Sequence, residues 1–419
     1  ETRLVPPRWS ETPHGACAPP RGGWDFSRGP AWSADPVDQR QGSTPVGLAQ
    51  DDRAFGHRWW DHAGVEGGRW SALGLAATGR GAAALAYSDL GCAEPAGRSR
   101  CIQAEAFVIR IMTRVWFPGV VLHLVLAISN IGRRDFWYDE ALSLAATKHL
   151  ATTASHTGGN MVAYYGLLTP WSWISASPEW LRLPSLAATT VAIGVATILI
   201  DRQAGAVAAR LSGVFIACSY IAVRYSSEAR SYGLLALLVA VAWLMLDKQR
   251  FGDASRWPRI AYPATVVVLP LVHGLAVCQL AMMLASLAWA RPPARLVRQL
   301  VLPCVAALIL AAALWASGGR DVAPWISPLS IRSLGWFFRR LVAPYLILAA
   351  ALLGLAAVGA WAMLRNPGRT AVDRFRQVSL VLWGPGAIAL LLLLSLVRPY
   401  AMDRYAFPAA FGLAGLLGV

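Results

Sequence analysis

From about Val108 onward the chain alternates between apolar runs and short charged loops. Ten runs read as membrane spans: 115–131, 183–200, 206–222, 232–246, 260–272, 274–290, 299–316, 341–364, 378–396 and 405 to the end. Several are shorter than the roughly 20 residues that cross a bilayer upright, so their boundaries are set only to within several residues. An eleventh apolar segment, "NMVAYYGLLTPWSWISAS", differs in kind. It is rich in aromatic residues, which favour the membrane interface, and carries Pro170 inside it. Counting it as a span would also invert every loop that follows. The pattern therefore predicts an all-α, polytopic transmembrane bundle of about ten spans, with juxtamembrane helices in the first outer loop.

Residues 1–105 show no such pattern. They are rich in Pro, Gly, Arg and Trp, carry 11 Arg against 12 acids, and have neither helical nor strand periodicity. Two readings stand, a cytosolic regulatory tail and a disordered extension; the composition favours the extension, because it cannot bury a core. The membrane domain is placed at 106–419. The chain has no initiator Met and stops inside an apolar run, so both ends are expected to be incomplete.

Composition agrees with a membrane protein: 56% of residues are hydrophobic and the mean hydropathy is +0.45. The net charge of +15 comes from 36 Arg and 2 Lys against 23 acids. These arginines form no basic face of the kind that binds nucleic acid. They cluster instead in "DRQAGAVAAR", "DKQRFGDASRWPR", "RPPARLVR", "RNPGRTAVDRFRQ" and the stretch before the first span. The positive-inside rule assigns these loops to the cytoplasm. Loops 133–182, 224–231, the turn at His273, 318–340 and 398–404 then face outward, in a multi-pass protein of the cell membrane. The six cysteines include no CxxC pair, and three lie in apolar runs, so metal and disulfide readings are both weak.

Candidate chemistry gathers on the outward side. "DFWYDEALSL" places Asp139 and Glu140 just beyond the first span. Their plain reading is an acidic first turn of a helix, favoured by the helix dipole. The other outer loops change the weighing. They add Arg224, Glu228, Arg230 and Tyr232 in "RYSSEARSY", His273, Asp321 and Trp325 in "RDVAPWISP", and Arg398, Asp403, Arg404 and Tyr405 in "RPYAMDRY". A carboxylate can take the proton of a hydroxyl acceptor. Arginines can hold a phosphate leaving group through paired, charge-assisted hydrogen bonds.

In order, "WYDEALSLA", "GGNMVAYYGLLTPW", "LRLPSLAA", "YSSEARSYGLLALL" and "RYAFPAAFGL" make the chain resemble a membrane glycosyltransferase of the GT-C superfamily. The nearest branch is family 39, the protein O-mannosyltransferases and aminoarabinose transferases. The resemblance runs from about Val115 to the end. It implies inverting transfer of a sugar, mannose-like, from a polyprenyl-phosphate donor to a hydroxyl acceptor outside the cytoplasm. It makes Asp139 the general base and Glu140 its supporting acid. Arg230, His273, Arg404 and Tyr405 would bind the donor phosphate. Glu228, Tyr232, Tyr164, Tyr165 and Trp325 are further substrate-site candidates. No cofactor is called for, although the acids leave a divalent cation open. The expected partners are the lipid-linked donor, a protein, lipid or glycan acceptor, and membrane lipids. Two departures stand out: Ser143 takes the place of an arginine of the aminoarabinose transferases, and "GGNMVAYY" lacks their lysine.

A multi-span transporter or lipid flippase is the alternative. Such proteins often carry internal repeats and charges near the bilayer midplane; this chain shows no repeat, and its charges sit at span ends. Several residues have plainer readings. Arg182 reads as an interface anchor at a helix start, Lys148 as a snorkelling side chain, and Asp403 as a local ion pair with Arg404. His149 lies with Lys148 two turns beyond Asp139 on the surface helix, and His156, near Gly158 and Gly159, could reach the site from its loop.

Overall fold

The computed structural model describes residues 114–251, 256–289, 292–317, 326, 328–365, 368 and 370–419. The extension over 1–105, together with Asp321 and Trp325, lies outside the described residues. The described chain is helical, with no strand among the described residues. Helix α1 (Phe117–Ile131) is followed by three short helices, α2 (Tyr138–Lys148), α3 (Leu150–His156) and α4 (Val162–Ser172). Next come α5 (Pro178–Ala204), α6 (Ala206–Cys218), α7 (Tyr220–Ser226), α8 (Tyr232–Arg250), α9 (Arg256–Val272), α10 (Val277–Trp289) and α11 (Ala294–Ser317). The chain closes with α12 (Ile331–Leu341), α13 (Leu346–Arg365), α14 (Ala371–Val381), a π-helical turn at Leu382–Gly386, α15 (Ala387–Val397) and α16 (Asp403–Leu417).

Each of the ten apolar runs falls on one helix or one pair of consecutive helices. Among the described residues five helices are long and apolar enough to cross a membrane: α5, α8, residues 296–317 of α11, α13, and the path from α14 through the π turn to α15. The pair α6–α7, bent by 59°, makes a sixth if it counts as one span. The remaining windows fall on shorter helices, α1, α9, α10 and α16. Helix α9 stops at His273, and α16 begins with Asp403 and Arg404. Between α1 and α5, α2, α3 and α4 are each far too short to cross, as expected of juxtamembrane helices.

Local sequence accounts for the element ends that matter most. Ser177 caps α5 by accepting the Trp180 amide at 3.3 Å, with Pro178 in the first turn, where its missing N–H costs nothing. Gly205, at φ +90°, ends α5 and lets α6 start at once. Near the centre Trp243 and Trp383 are fully buried, and Gly384 of the π turn crosses Gly412 of α16. A Cβ on Gly412 would stand 2.5 Å from the Gly384 nitrogen, so the crossing needs both glycines. At the basic end of the bundle Asp247 of α8 receives Arg202 of α5 at 2.6 Å and Arg376 of α14 at 2.9 Å. One buried carboxylate thus fastens three helices.

Candidate active site

The two acids of the opening motif have separate fates. Both sit in the first turn of α2, where successive residues point about 100° apart. Glu140 turns inward and is fully buried. Arg182 grips it with two parallel hydrogen bonds, Nε to Oε1 at 2.8 Å and Nη2 to Oε2 at 2.7 Å. The Ala229 amide donates to Oε1 at 2.9 Å and the Trp137 amide to Oε2 at 3.4 Å. Arg182 also donates to the carbonyls of Ile131, Arg134 and Asp135. Glu140 is therefore a knot that ties the end of α1, the start of α2 and the segment after α7 to α5. It has no face left for a substrate. Arg182 is neither an interface anchor nor open to phosphate. The signal for it was an arginine inside an apolar helix, where an unpaired charge is costly.

Asp139 points the other way and keeps 20% of its side chain exposed. Arg404 Nη1 donates to its Oδ2 at 3.1 Å, and Arg230 Nη2 lies 3.6 Å from the same oxygen. Among the described residues no hydrogen bond reaches its Oδ1. Residues 139, 230 and 404 come from α2, the short link after α7 and the first turn of α16. Folding brings them together as the sequence reading anticipated. Ser143 lies one turn beyond Asp139, and its Oγ accepts from Arg230 Nη1 at a long 3.5 Å. Position 143, where the resemblance leads to an arginine, thus abuts one supplied from another helix end.

Around this trio stands an aromatic wall. The Arg230 and Arg404 guanidiniums lie 5.8 and 5.9 Å from the Tyr232 ring centre. His273 sits 5.8 Å from Tyr232 and 5.0 Å from Tyr405, centre to centre. Burial, with Arg230 and Arg404 alongside, lowers the His273 pKa to about 3, so the imidazole is neutral at ordinary pH. Its Nδ1 accepts the Leu275 amide at 3.2 Å, which places the remaining proton on Nε2. That Nε2–H is buried and has no partner among the described residues. His273 therefore offers a donor without a charge.

The other candidates stand further back. In "EARSY" alternate residues face different neighbours. Glu228 pairs with Arg224 at 3.1 Å and Arg134 at 3.7 Å rather than facing Asp139. Burial raises its pKa despite both arginines. Tyr164 bonds to Ser185 at 3.1 Å, and Ser185 in turn donates to the Arg230 carbonyl at 2.8 Å, so Tyr164 supports Arg230 from behind. Tyr165 donates to the Met161 sulfur at 3.4 Å. Asp403 accepts from the Tyr225 hydroxyl at 2.8 Å instead of pairing with Arg404. Lys148, His149 and His156 are exposed on α2, α3 and the joint between them, outside the cluster.

His273 and Tyr405 also line a cavity of about 590 Å³. Its remaining wall is mostly apolar, with Pro270, Leu308, Ala311, Leu394 and Val397 among its members. A polar cluster thus adjoins an apolar chamber, which suits a ligand with a charged head and a hydrocarbon tail. No three His, Cys, Asp or Glu converge to hold a metal ion among the described residues. A cation at Asp139 would also face two guanidiniums.

The fold is an all-α, polytopic helical bundle. It superposes on ArnT from Cupriavidus metallidurans bound to undecaprenyl phosphate, with TM-score 0.51 and 16% identity over 72% of this chain and 58% of that one. Against the same protein in the apo state the TM-score is 0.54, at 16% identity over 75% and 59%. The chain thus spans less than two-thirds of the length of these structures. No family model matches the sequence, and no curated protein does.

Proposed function

We propose that the protein is an inverting membrane glycosyltransferase. It moves a sugar, mannose-like by the family resemblance, from a polyprenyl-phosphate donor to a hydroxyl acceptor on the outer membrane face. The observation that carries this reading is the Asp139 carboxylate held by Arg404 and Arg230 beside the apolar cavity. Its open Oδ1 takes the acceptor proton as the hydroxyl oxygen attacks the anomeric carbon. The bond from that carbon to the phosphate oxygen breaks, and its electron pair leaves on the phosphate. Arg230 and Arg404 neutralise the growing charge, and the His273 Nε2–H adds an uncharged donor. The polyprenyl tail occupies the apolar cavity. ArnT, which shares the fold, was solved with undecaprenyl phosphate, and this supports the same donor class here.

The geometry has a consequence for binding. Asp139 holds the same guanidiniums that the donor phosphate needs. Donor phosphate and carboxylate therefore compete, and donor entry releases the base. The test is undecaprenyl phosphate binding to purified protein, alongside transfer activity. Asp139→Asn should bind the lipid more tightly than wild type while losing transfer. Arg404→Ala should weaken binding by about 10- to 100-fold, since hydrogen bonds to charged groups contribute ~1.5–3 kcal/mol. Unaltered lipid binding by Arg404→Ala would remove the phosphate from this site. Orientation is tested separately: a cysteine at Tyr138, 75% exposed, should react with an impermeant thiol reagent added from outside.

A further inference from the structure

A second cavity, of about 370 Å³, opens between α9 and α11 at the ends remote from Asp139. Arg259, Pro263 and Val267 of α9 line one side, and Arg298, Leu302 and Ala306 of α11 the other. The two helices run in the same direction here, joined at Tyr262, whose hydroxyl donates to the Leu300 carbonyl at 3.0 Å. Pro263 and Pro303 lie inside them and face this groove. Each proline removes a backbone donor from its helix on the side of the groove.

The lining is divided along its length. Arg259 and Arg298 stand at one end, both exposed, and neither is bonded or ion-paired to another described residue. Among the described residues no acid lines the groove. Val267 and Ala306 lie eight residues further along their helices, about 12 Å deeper into the apolar part of the bundle. The arginine end is the end of the basic loops. His273 closes the opposite end of α9, about 21 Å away.

We infer that this groove is a binding site for an anionic phospholipid, with its phosphate between Arg259 and Arg298 and one acyl chain along Val267, Leu302 and Ala306. Two guanidiniums without a partner among the described residues, above an apolar slot, match the two parts of such a lipid. Basic pockets between membrane helices commonly take anionic headgroups in this way. The same helices go on to wall the large cavity with Pro270, Leu308 and Trp315, so the bound lipid braces the donor chamber from the other leaflet.

The test uses the full chain in nanodiscs of equal parts phosphatidylcholine and phosphatidylglycerol, with retained lipids counted by native mass spectrometry. Wild type should retain phosphatidylglycerol in preference. Arg259→Gln with Arg298→Gln should lower that preference roughly 30-fold, from about fivefold per basic residue. Ala306→Trp, at an exposed position, fills the slot and leaves both arginines; it should lower retention of both lipids. Added inorganic phosphate should not displace the lipid. An undiminished preference in the double Gln variant overturns the proposal. So does full retention in Ala306→Trp, which would reduce the effect to surface charge alone. Displacement by inorganic phosphate would likewise remove the acyl part of the site.

Discussion

Asp139 and Asp247 are each flanked by two arginines drawn from distant helices, yet the two arrangements differ in every particular that matters. Asp247 is 1% exposed, and both of its oxygens are taken: Arg202 Nε donates to Oδ2 at 2.6 Å, and Arg376 donates Nε to Oδ1 at 2.9 Å and Nη2 to Oδ2 at a long 3.5 Å. Asp139 is 20% exposed, and both of its arginines approach the one oxygen, at 3.1 and 3.6 Å. The first is a closed fastening with no capacity left over. The second is loose and one-sided, and leaves an oxygen and two guanidiniums able to exchange partners. Residue types alone do not separate a staple from a site; the division of lone pairs and the exposure do.

The largest expected effect falls on the open member of the pair. Asp139→Asn keeps the size and removes the proton acceptor, so transfer should fall by about 10²–10⁴-fold, the usual range for a general base. Its thermal unfolding should stay near wild type, because the carboxylate is partly solvated. Transfer and melting, measured at matched membrane expression, decide this; near-normal turnover returns Asp139 to an acidic helix start.

Glu140→Gln, one residue on, should do the reverse. It leaves the buried Arg182 without its counter-charge, a loss of ~3–5 kcal/mol of stability for a buried pair. Asp247→Asn should follow the same course more mildly, since Arg202 and Arg376 are 33% and 22% exposed and can reach water. Both variants should melt at lower temperature while turnover per folded molecule stays close to wild type. If Asp247→Asn abolished transfer with its melting unchanged, the distinction between staple and site would fail.

Much of this architecture is legible in the sequence, for a physical reason. Apolar runs and arginine-rich loops are local properties, so the ten runs locate the helices, and the aromatic, proline-bearing segment locates the short α4. The convergence of Asp139, Arg230 and Arg404 also follows, because span ends on one side of a membrane share one plane. What the sequence does not show is which way a side chain turns. Asp139 and Glu140 are neighbours in the chain, and only the approach of Arg182 from α5 tells which is consumed by the fold. Asp403 beside Arg404 reads as an ion pair, yet Tyr225, 178 residues earlier, holds it. Contacts between helices decide these cases, and no local pattern encodes them. The grooved pairing of α9 with α11 is of the same kind, since Pro263 and Pro303 reveal their shared side only after the helices have packed.

The smallest effect concerns His273, and its direction follows from the charges around it. Burial beside Arg230 and Arg404 holds the imidazole pKa at about 3, against an ordinary value near 6.5. The folded protein therefore refuses a proton that the unfolded chain accepts once the pH falls below about 6.5. Stability contributed by neutral His273 is fully present above that pH, and is lost progressively as the pH falls from about 6.5 towards 3. The same depression keeps the histidine neutral throughout the working range. It acts as an N–H donor and not as a third positive charge. His273→Gln retains an amide donor and should lower transfer only a few-fold. His273→Phe keeps the aromatic packing but loses the donor; it should cost up to about tenfold, the scale of one neutral hydrogen bond. In wild type the pH profile of transfer should show no limb near pH 6.5 that His273→Gln removes. If such a limb exists and vanishes in that variant, His273 is charged during turnover, and the neutral, Nε2-protonated imidazole drawn from the Leu275 contact is the wrong species.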